Sequence, residues 1–245
     1  MKIIIEDNGA KAAEFVALYI RKRINDFQPT EDKPFTLGLQ AGIFPNHIPS
    51  RLPRESPQSA HTFMLKNFFR HTDILPKNVN ILDGNAEDLD NECAEYEKKI
   101  TQAGGIELFV ASCEQDGSLA FNEPGSSLNT RTRVKTLSLE TKQYLSKFFS
   151  NNPQLVPPRA LTVGVETLMD SREVVLLVTG VQKSYPLYKA IEEGISHMCT
   201  LSIFQMHQKA TFVIDDDATL ELKVKTVKYF RELMKLHQKM IELRK

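Results

Sequence analysis

Short apolar runs alternate with longer amphipathic stretches along the whole chain. The apolar runs predict β-strands at 1–5, 34–39, 79–82, 106–111, 160–165, 174–179 and 211–214. Stretches with an apolar residue every three or four positions predict helices at 10–27, 59–71, 88–102, 139–149, 166–169, 183–198 and 218–243. This alternation predicts an α/β fold, a Rossmann-like, doubly wound and mostly parallel sheet with helices on both faces. At 245 residues we expect one domain spanning 1–245.

The most informative stretch is 106–136, where a buried strand is followed by a dense set of polar residues. Residues 106–111 are an apolar run, and residues 112–118, here called the crest loop, come directly after it. Ligands of open α/β sheets bind outside the carboxyl ends of the strands. Asp116 and Glu123 supply carboxylates in this stretch, and Arg131, Arg133 and Lys135 supply cations. Carboxylates, hydroxyls and cations together are what a phosphorylated polyol needs.

Composition excludes several other classes of protein. Lys plus Arg and Asp plus Glu both number 31, so the balance argues against a nucleic-acid or anionic-membrane binder that acts through bulk charge. No apolar run approaches the roughly 18 residues of a membrane span. The three cysteines are widely spaced, so we expect no disulfide framework, no metal site and a cytoplasmic location.

The segment DGSLAFNEPGSSLNTRTRVKTL resembles the signature DGHIAFNEP…SRTRIKTL of the glucosamine-6-phosphate deaminases. The resemblance extends to NILDGNAEDLDNECAEYEKKI and ELKVKTVKYF, and so covers nearly the whole chain. It implies a sugar-phosphate ligand and no cofactor. It also implies a reaction in which glucosamine 6-phosphate becomes fructose 6-phosphate and ammonia.

One departure from the family pattern lies between LGL and LPRESPQS. There the family has a glycine-rich turn, a helix and a strand that ends in NMDEY, whereas this chain has only QAGIFPNHIPSR. We expect the chain to lack one family strand-helix unit and to form an extended loop at 40–58, since its prolines disfavour a helix. The match places His47 at the aspartate that moves the proton between sugar carbons. The alternative is an exposed loop histidine without a role.

The second departure falls on the ring-opening relay, which the resemblance assigns to Asp116, Ser118 and Glu123. Ser118 stands where the family has a histidine, and a serine hydroxyl does not take up and return a proton near neutral pH. Asp116 and Glu123 therefore remain as remnants of the relay. The structural alternative is that Asp116 shapes a turn and Glu123 pairs with a neighbouring cation.

Two phosphate sites follow from the resemblance. The substrate phosphate would be held by Lys183 and by Lys147, which replaces a family arginine. A second, allosteric site would bind N-acetylglucosamine 6-phosphate through Ser126, Arg133 and Lys135, together with the amine of Met1 from a neighbouring subunit. Thr136 and Tyr229 match positions that couple this site to the rest of the protein. We call Ser126, Arg133 and Lys135 the effector residues.

Three functions remain open from the sequence. The first is a catalytically inactive sugar-phosphate sensor that regulates amino-sugar catabolism. The second is an active deaminase or isomerase that uses His47 or another base, and the third is a structural subunit that binds no ligand. The resemblance also implies a homo-trimer or homo-hexamer, or a hetero-oligomer with a catalytic deaminase.

Overall fold

The computed structural model describes residues 1–40, 53–57 and 59–237. Its strands are β1 (Lys2–Glu6), β2 (Leu37–Leu39), β3 (Leu108–Ala111), β4 (Arg133–Thr136), β5 (Arg159–Thr162), β6 (Val174–Val178) and β7 (Ala210–Asp215). Its α-helices are α1 (Gly9–Phe27), α2 (Ala60–Asn67), α3 (Leu89–Gln102), α4 (Leu139–Leu145), α5 (Val165–Met169), α6 (Ser184–Glu192) and α7 (Val224–His237). Short 3-10 turns connect several of these elements.

The central sheet has five strands in the described part of the chain, in the order β1-β7-β6-β3-β2. Every neighbouring pair in this sheet is parallel. The strands β3, β6 and β7 are almost wholly buried, as expected for a parallel sheet covered on both sides. The carboxyl ends of β3 and β6 therefore lie side by side, and this arrangement positions the crest loop next to the turn that follows β6.

Alternate residues of the strands face two separate apolar layers. Ile4, Leu108 and Val110 pack with α1 on one face of the sheet. Phe109 and Phe212 pack with α5, α6 and α7 on the other face. Because successive residues of a strand face opposite sides and both sides are covered by an apolar layer, the strands are unbroken apolar runs in the sequence. The mostly parallel sheet with helices on both faces confirms the predicted fold class.

A second, two-stranded sheet was not predicted. β4 and β5 pair antiparallel, with Arg133 opposite Thr162 and Thr136 opposite Arg159. The prediction that 160–165 joins the main parallel sheet is therefore wrong. The hairpin-like pair packs over its own small apolar cluster, which includes Phe121, Leu137, Leu145, Val156 and Ala160.

Other boundaries also differ from the predictions. Residues 79–82 form no strand, because the four residues are at least partly exposed and no described strand lies beside them. The helix predicted at 183–198 ends at Glu192, and the one predicted from 218 begins at Val224. The predicted loop at 40–58 lies largely outside the described residues.

The N-termini of several helices are capped as their sequences indicate. The side chains of Asn8, Ser59, Asp88 and Ser138 accept hydrogen bonds from the first turns of α1, α2, α3 and α4. All three cysteines are buried and free. Within the described residues, no helix is both long and apolar enough to cross a membrane, and no cluster of side chains could hold a metal ion.

Candidate functional site

Lys183 and Ser112 meet where the main sheet ends. Ser112 directly follows β3, and Lys183 lies in the 3-10 turn that follows β6. The Lys183 Nζ donates to the Ser112 Oγ at 2.8 Å, and Ser112 is buried. Behind them, the buried Asp215 carboxylate accepts from the backbone N–H groups of Gly180 and Ala218, and so anchors the turn that presents Lys183. The predicted substrate-phosphate lysine is thus a cation held at the carboxyl edge of the sheet.

The crest loop folds back on itself around Asp116. The backbone N–H of Glu114 donates to the carbonyl of Ser118, and Gly117 between them has a φ of +83°. The Asp116 Oδ1 accepts from both the backbone N–H and the hydroxyl of Ser118, at 2.9 and 2.5 Å. Asp116 is exposed and Ser118 is buried. The structure therefore brings Asp116 and Ser118 together, with a hydroxyl at the position the family relay fills with imidazole.

Glu123 is directed away from that pair. Its Oε1 accepts from the backbone N–H of Ser138 and from the Thr141 hydroxyl, and its Oε2 lies 3.4 Å from the Lys135 Nζ. Burial acts to raise the pKa of Glu123, but these hydrogen bonds and the Lys135 ammonium outweigh it, so that the pKa lies below its ordinary value. In the described chain, no hydrogen bond joins Glu123 to Asp116 or Ser118. The structural alternative for Glu123, pairing with a cation, is what the geometry shows.

The effector residues contact Asn122 and Glu123, which follow the crest loop in the sequence. The Arg133 Nη1 donates to the Asn122 Oδ1 at 2.8 Å, and partial burial lowers the pKa of its guanidinium. The backbone N–H of Ser126 donates to the carbonyl of Glu123, and the buried Ser126 hydroxyl has no hydrogen-bond partner among the described residues. Arg133 and Lys135 are two positions apart on β4, so their side chains extend to the same side of the strand. One unpaired hydroxyl and two cations are thus connected through Asn122 and Glu123.

The remaining predicted site residues are more scattered. Met1 and Tyr229 are exposed, and Thr136 is the exposed last residue of β4. The Lys147 ammonium lies 3.7 Å from the centre of the Tyr144 ring. Over the described ranges, no hydrogen bond or ion pair joins these four residues to the effector residues or to Lys183. His47 lies outside the described residues.

The sequence analysis included Ser112 in the crest loop without assigning it a role, and it missed Asn122 and Thr141. Ser112 is the first residue after a buried strand, where ligands of open α/β sheets bind. Asn122 is completely buried, and its amide also donates to the carbonyls of Leu119 and Val163. These bonds connect the segment after the crest loop to the residue that follows β5. Thr141 gave no signal in the sequence, because its contact with Glu123 depends on how α4 packs.

Comparison with curated proteins gave long and closely similar relatives. The chain is 51% identical to glucosamine-6-phosphate deaminase 1 of Bos taurus and 50% identical to that of Homo sapiens, over 99% of this chain and 92% of each relative. It is 49% identical to glucosamine-6-phosphate deaminase 2 of Xenopus tropicalis, over 99% of this chain and 97% of that protein. These alignments run over 267 positions, more than the 245 residues of the chain, so the relatives carry residues for which this chain has no counterpart.

Solved structures with the same fold include a monomeric glucosamine-6-phosphate deaminase. It matches with a TM-score of 0.75 and 27% identity, over 90% of this chain and all of that one. The 6-phosphogluconolactonase of Trypanosoma cruzi matches with a TM-score of 0.67 and 17% identity, over 91% of this chain and 97% of that one, and indicates the fold alone. No model of a protein family matches the chain.

Proposed function

The chain belongs to the glucosamine-6-phosphate deaminase family, and on that premise we propose that it binds a phosphorylated amino sugar through the effector residues without deaminating it. The observation that carries this proposal is the arrangement of Ser126, Arg133 and Lys135. A buried hydroxyl without a partner costs stability, and a ligand that bonds to it would recover that cost. Two cations on one side of β4 match the charge of a phosphate. The proposed ligand is N-acetylglucosamine 6-phosphate.

The absence of turnover is proposed from the relay. A serine hydroxyl bonded to Asp116 stands where the family relay has a histidine, and Glu123 is engaged by Lys135, Ser138 and Thr141. Removing one positioned acid or base typically lowers a rate by about 10²–10⁴-fold. The aspartate of NMDEY is also absent from the sequence. In this proposal the protein is a sensor that regulates amino-sugar catabolism.

An active deaminase is the second candidate, and the comparisons favour it over the sensor. The named relatives are all glucosamine-6-phosphate deaminases, at about half identity over nearly the whole chain. Lys183 is also held at the carboxyl edge of the sheet, where a substrate phosphate would bind. In this candidate His47 or another group replaces the lost base.

Release of ammonia from glucosamine 6-phosphate decides between the two candidates. For the sensor we expect a rate at least 100-fold below the roughly 10 s⁻¹ of a median enzyme. The assay is run with and without N-acetylglucosamine 6-phosphate, so that an enzyme that requires an activator is not missed. Turnover within about tenfold of that median would establish the active deaminase and overturn the sensor.

Calorimetric titration with N-acetylglucosamine 6-phosphate tests the assignment of the binding site. Arg133→Ala should weaken binding about 10- to 100-fold, because a charge-assisted bond to phosphate contributes roughly 1.5–3 kcal/mol. Lys183→Ala should leave binding almost unchanged, and Lys99→Ala, on the exposed surface of α3, controls for the loss of one positive charge. Binding that is lost in Lys183→Ala and kept in Arg133→Ala would move the ligand to the crest loop. No heat and no thermal shift would favour the structural subunit.

Assembly and location are further parts of the proposal. A homo-trimer or homo-hexamer would bring Met1 of one subunit to the effector residues of another, and a catalytic deaminase could take the place of some subunits. One solved relative of this fold is described as monomeric, so family membership alone does not fix the assembly. We propose a cytoplasmic location, which three free, buried cysteines support.

A further inference from the structure

An open cavity of about 360 Å³ lies at the end of the sheet opposite to the crest loop. It is bounded by the last turns of α3, the turn at Gly104 and Gly105, Ile106 two residues before β3, and the end of α5. The crest loop follows the carboxyl end of β3, whereas this cavity precedes its amino end. Four residues of strand separate the two, or roughly 13 Å. The lining includes neither the two proposed substrate-phosphate lysines nor any effector residue, so the cavity is distinct from both phosphate sites proposed above.

The charges around the cavity are mainly negative. The Arg131 guanidinium is shared by Glu166 and Asp170, and Arg172, which lies beside Gly105, pairs with Glu107. Glu97 adds a further carboxylate to the lining. The lining itself has two carboxylates, Glu97 and Asp170, and one guanidinium group, Arg131, which is already paired. With the neighbouring Glu166 and the Arg172–Glu107 pair, four carboxylates accompany two guanidinium groups. This balance favours a cation and disfavours an anion such as a sugar phosphate.

Glu97 has one carboxylate oxygen available to a ligand. Its Oε1 accepts from the backbone N–H and hydroxyl of Thr132 and from the hydroxyl of Thr167. No described residue donates to its Oε2. These bonds hold the carboxylate in one orientation, so the free oxygen is fixed before a ligand arrives.

Two further features describe what the rest of the ligand would contact. Ile100 and Ile106 give the cavity an apolar wall. Ser171, which also lines it, is buried, and its hydroxyl has no hydrogen-bond partner among the described residues. A cavity of this volume has room for about a dozen water-sized groups. Its lining therefore suits a small molecule with a positive end and a compact apolar body.

We propose that this cavity binds a small protonated amine. The ammonium donates to the Oε2 of Glu97, and the carbon body packs against Ile100 and Ile106. A metal ion is a poor alternative, since the described side chains include no group of ligands that could hold one. The proposal concerns a site separate from the effector residues, so it holds whether or not the protein binds a sugar phosphate.

Nuclear magnetic resonance titration of the backbone amides tests the proposal with three probes of similar shape. Cyclohexylamine is protonated at pH 7, cyclohexanol is neutral and cyclohexanecarboxylate is negative. We expect cyclohexylamine to shift the amide signals of Gly104 and Gly105, with no shift at Gly117 or Gly180 in the region of the crest loop. Equal binding of the alcohol or the carboxylate, or shifts confined to the crest loop, would overturn the proposal.

Variants that each remove one carboxylate test the role of Glu97. Glu97→Gln keeps an oxygen that accepts from Thr132 and Thr167 but removes the charge, and should weaken cyclohexylamine binding at least about tenfold. Glu95→Gln lies two residues away on α3, in an exposed pair with Lys98, and should not change it. If Glu97→Gln does not fold, Asp170→Asn removes an exposed charge from the same lining and should weaken binding more than Glu95→Gln. Unchanged affinity in the folded lining variant would contradict the assignment.

Discussion

Two adjacent residues, Asn122 and Glu123, hold the two cations of β4. Asn122 accepts from Arg133, and Glu123 pairs with Lys135. A phosphate that binds these cations must compete with both of these partners. Ser126, in contrast, has a hydroxyl that no described residue occupies. Ligand binding therefore displaces existing partners of Arg133 and Lys135 but none of the Ser126 hydroxyl among the described residues. Single substitutions can measure this difference for each residue.

Replacing Ser126 by alanine should separate stability from binding. The change removes a buried hydroxyl that has no partner among the described residues, so we expect the free energy of unfolding of the ligand-free protein to rise by up to about 1 kcal/mol. The same change should weaken binding of N-acetylglucosamine 6-phosphate. Urea unfolding and calorimetry check the two effects. The control is Ser127→Ala, which removes an exposed hydroxyl that accepts from the Asn129 backbone N–H and should therefore not raise stability. A variant that is less stable than the wild type would show that the hydroxyl has a partner after all.

The carboxylate of Glu123 should make the free energy of unfolding depend on pH in the acid range. Because its pKa is lowered in the folded state, its contribution is present above its ordinary pKa of about 4.5 and is lost as the pH falls through the lower, folded value. The difference in unfolding free energy between wild type and Glu123→Gln should therefore be largest near pH 7 and shrink below about pH 4.5.

Urea unfolding between pH 3 and pH 7 measures that difference. Glu95→Gln, which removes a carboxylate from an exposed pair with Lys98, should show only a small difference at every pH. A difference between wild type and Glu123→Gln that stays constant over this range would mean that the contacts of Glu123 do not depend on its charge.

At the scale of secondary structure, the sequence identified the elements whose burial is simple. The strands β3, β6 and β7 are continuous apolar runs because both of their faces are covered, and α1 and α3 have polar caps next to amphipathic stretches. β4 escaped prediction as a paired strand because its residues, RVKT, are half-exposed and carry two cations. Its pairing depends on β5, which is more than twenty residues away, and no local pattern encodes such a contact.

The candidate site was predictable to the same extent. Residue types and spacing located Asp116 and Ser118, which the structure joins by a hydrogen bond, and Arg133 and Lys135, which bind the adjacent Asn122 and Glu123. The partners of these residues were not predictable, because Glu123 could face either the crest loop or β4. Its orientation is fixed by tertiary contacts, with Lys135 of β4 and with Ser138 and Thr141 at the start of α4.

Gly117 gives the crest loop its shape, and a pair of alanine variants tests this. Gly117 and Gly125 both have positive φ angles, so alanine is strained at either position. At Gly117 a Cβ would also lie 2.7 Å from the Cys199 Sγ, whereas at Gly125 nothing lies within 4 Å. Gly125→Ala should cost about 1–2 kcal/mol, and Gly117→Ala at least about 1 kcal/mol more. Chemical denaturation measures both, and equal losses would show that the packing against Cys199 contributes nothing.

At the scale of the whole molecule, the proposed effector site makes assembly measurable. If Met1 of a neighbour completes the site, the protein should be a trimer or hexamer, and N-acetylglucosamine 6-phosphate should stabilise that assembly by binding between subunits. Light scattering with and without the ligand checks both expectations. A monomer that still binds the ligand tightly would show that one chain is sufficient, and would remove Met1 from the site.

The bond between Lys183 and Ser112 has a consequence for any anion that reaches the crest loop. A free lysine side chain loses roughly 1.5–2 kcal/mol of rotamer entropy when it is ordered. In this chain the hydroxyl already restrains the ammonium, at 2.8 Å, before a ligand is present. An incoming anion therefore meets a pre-organised cation. The side-chain entropy of Lys183 has already been lost during folding, so anion binding does not have to incur that loss.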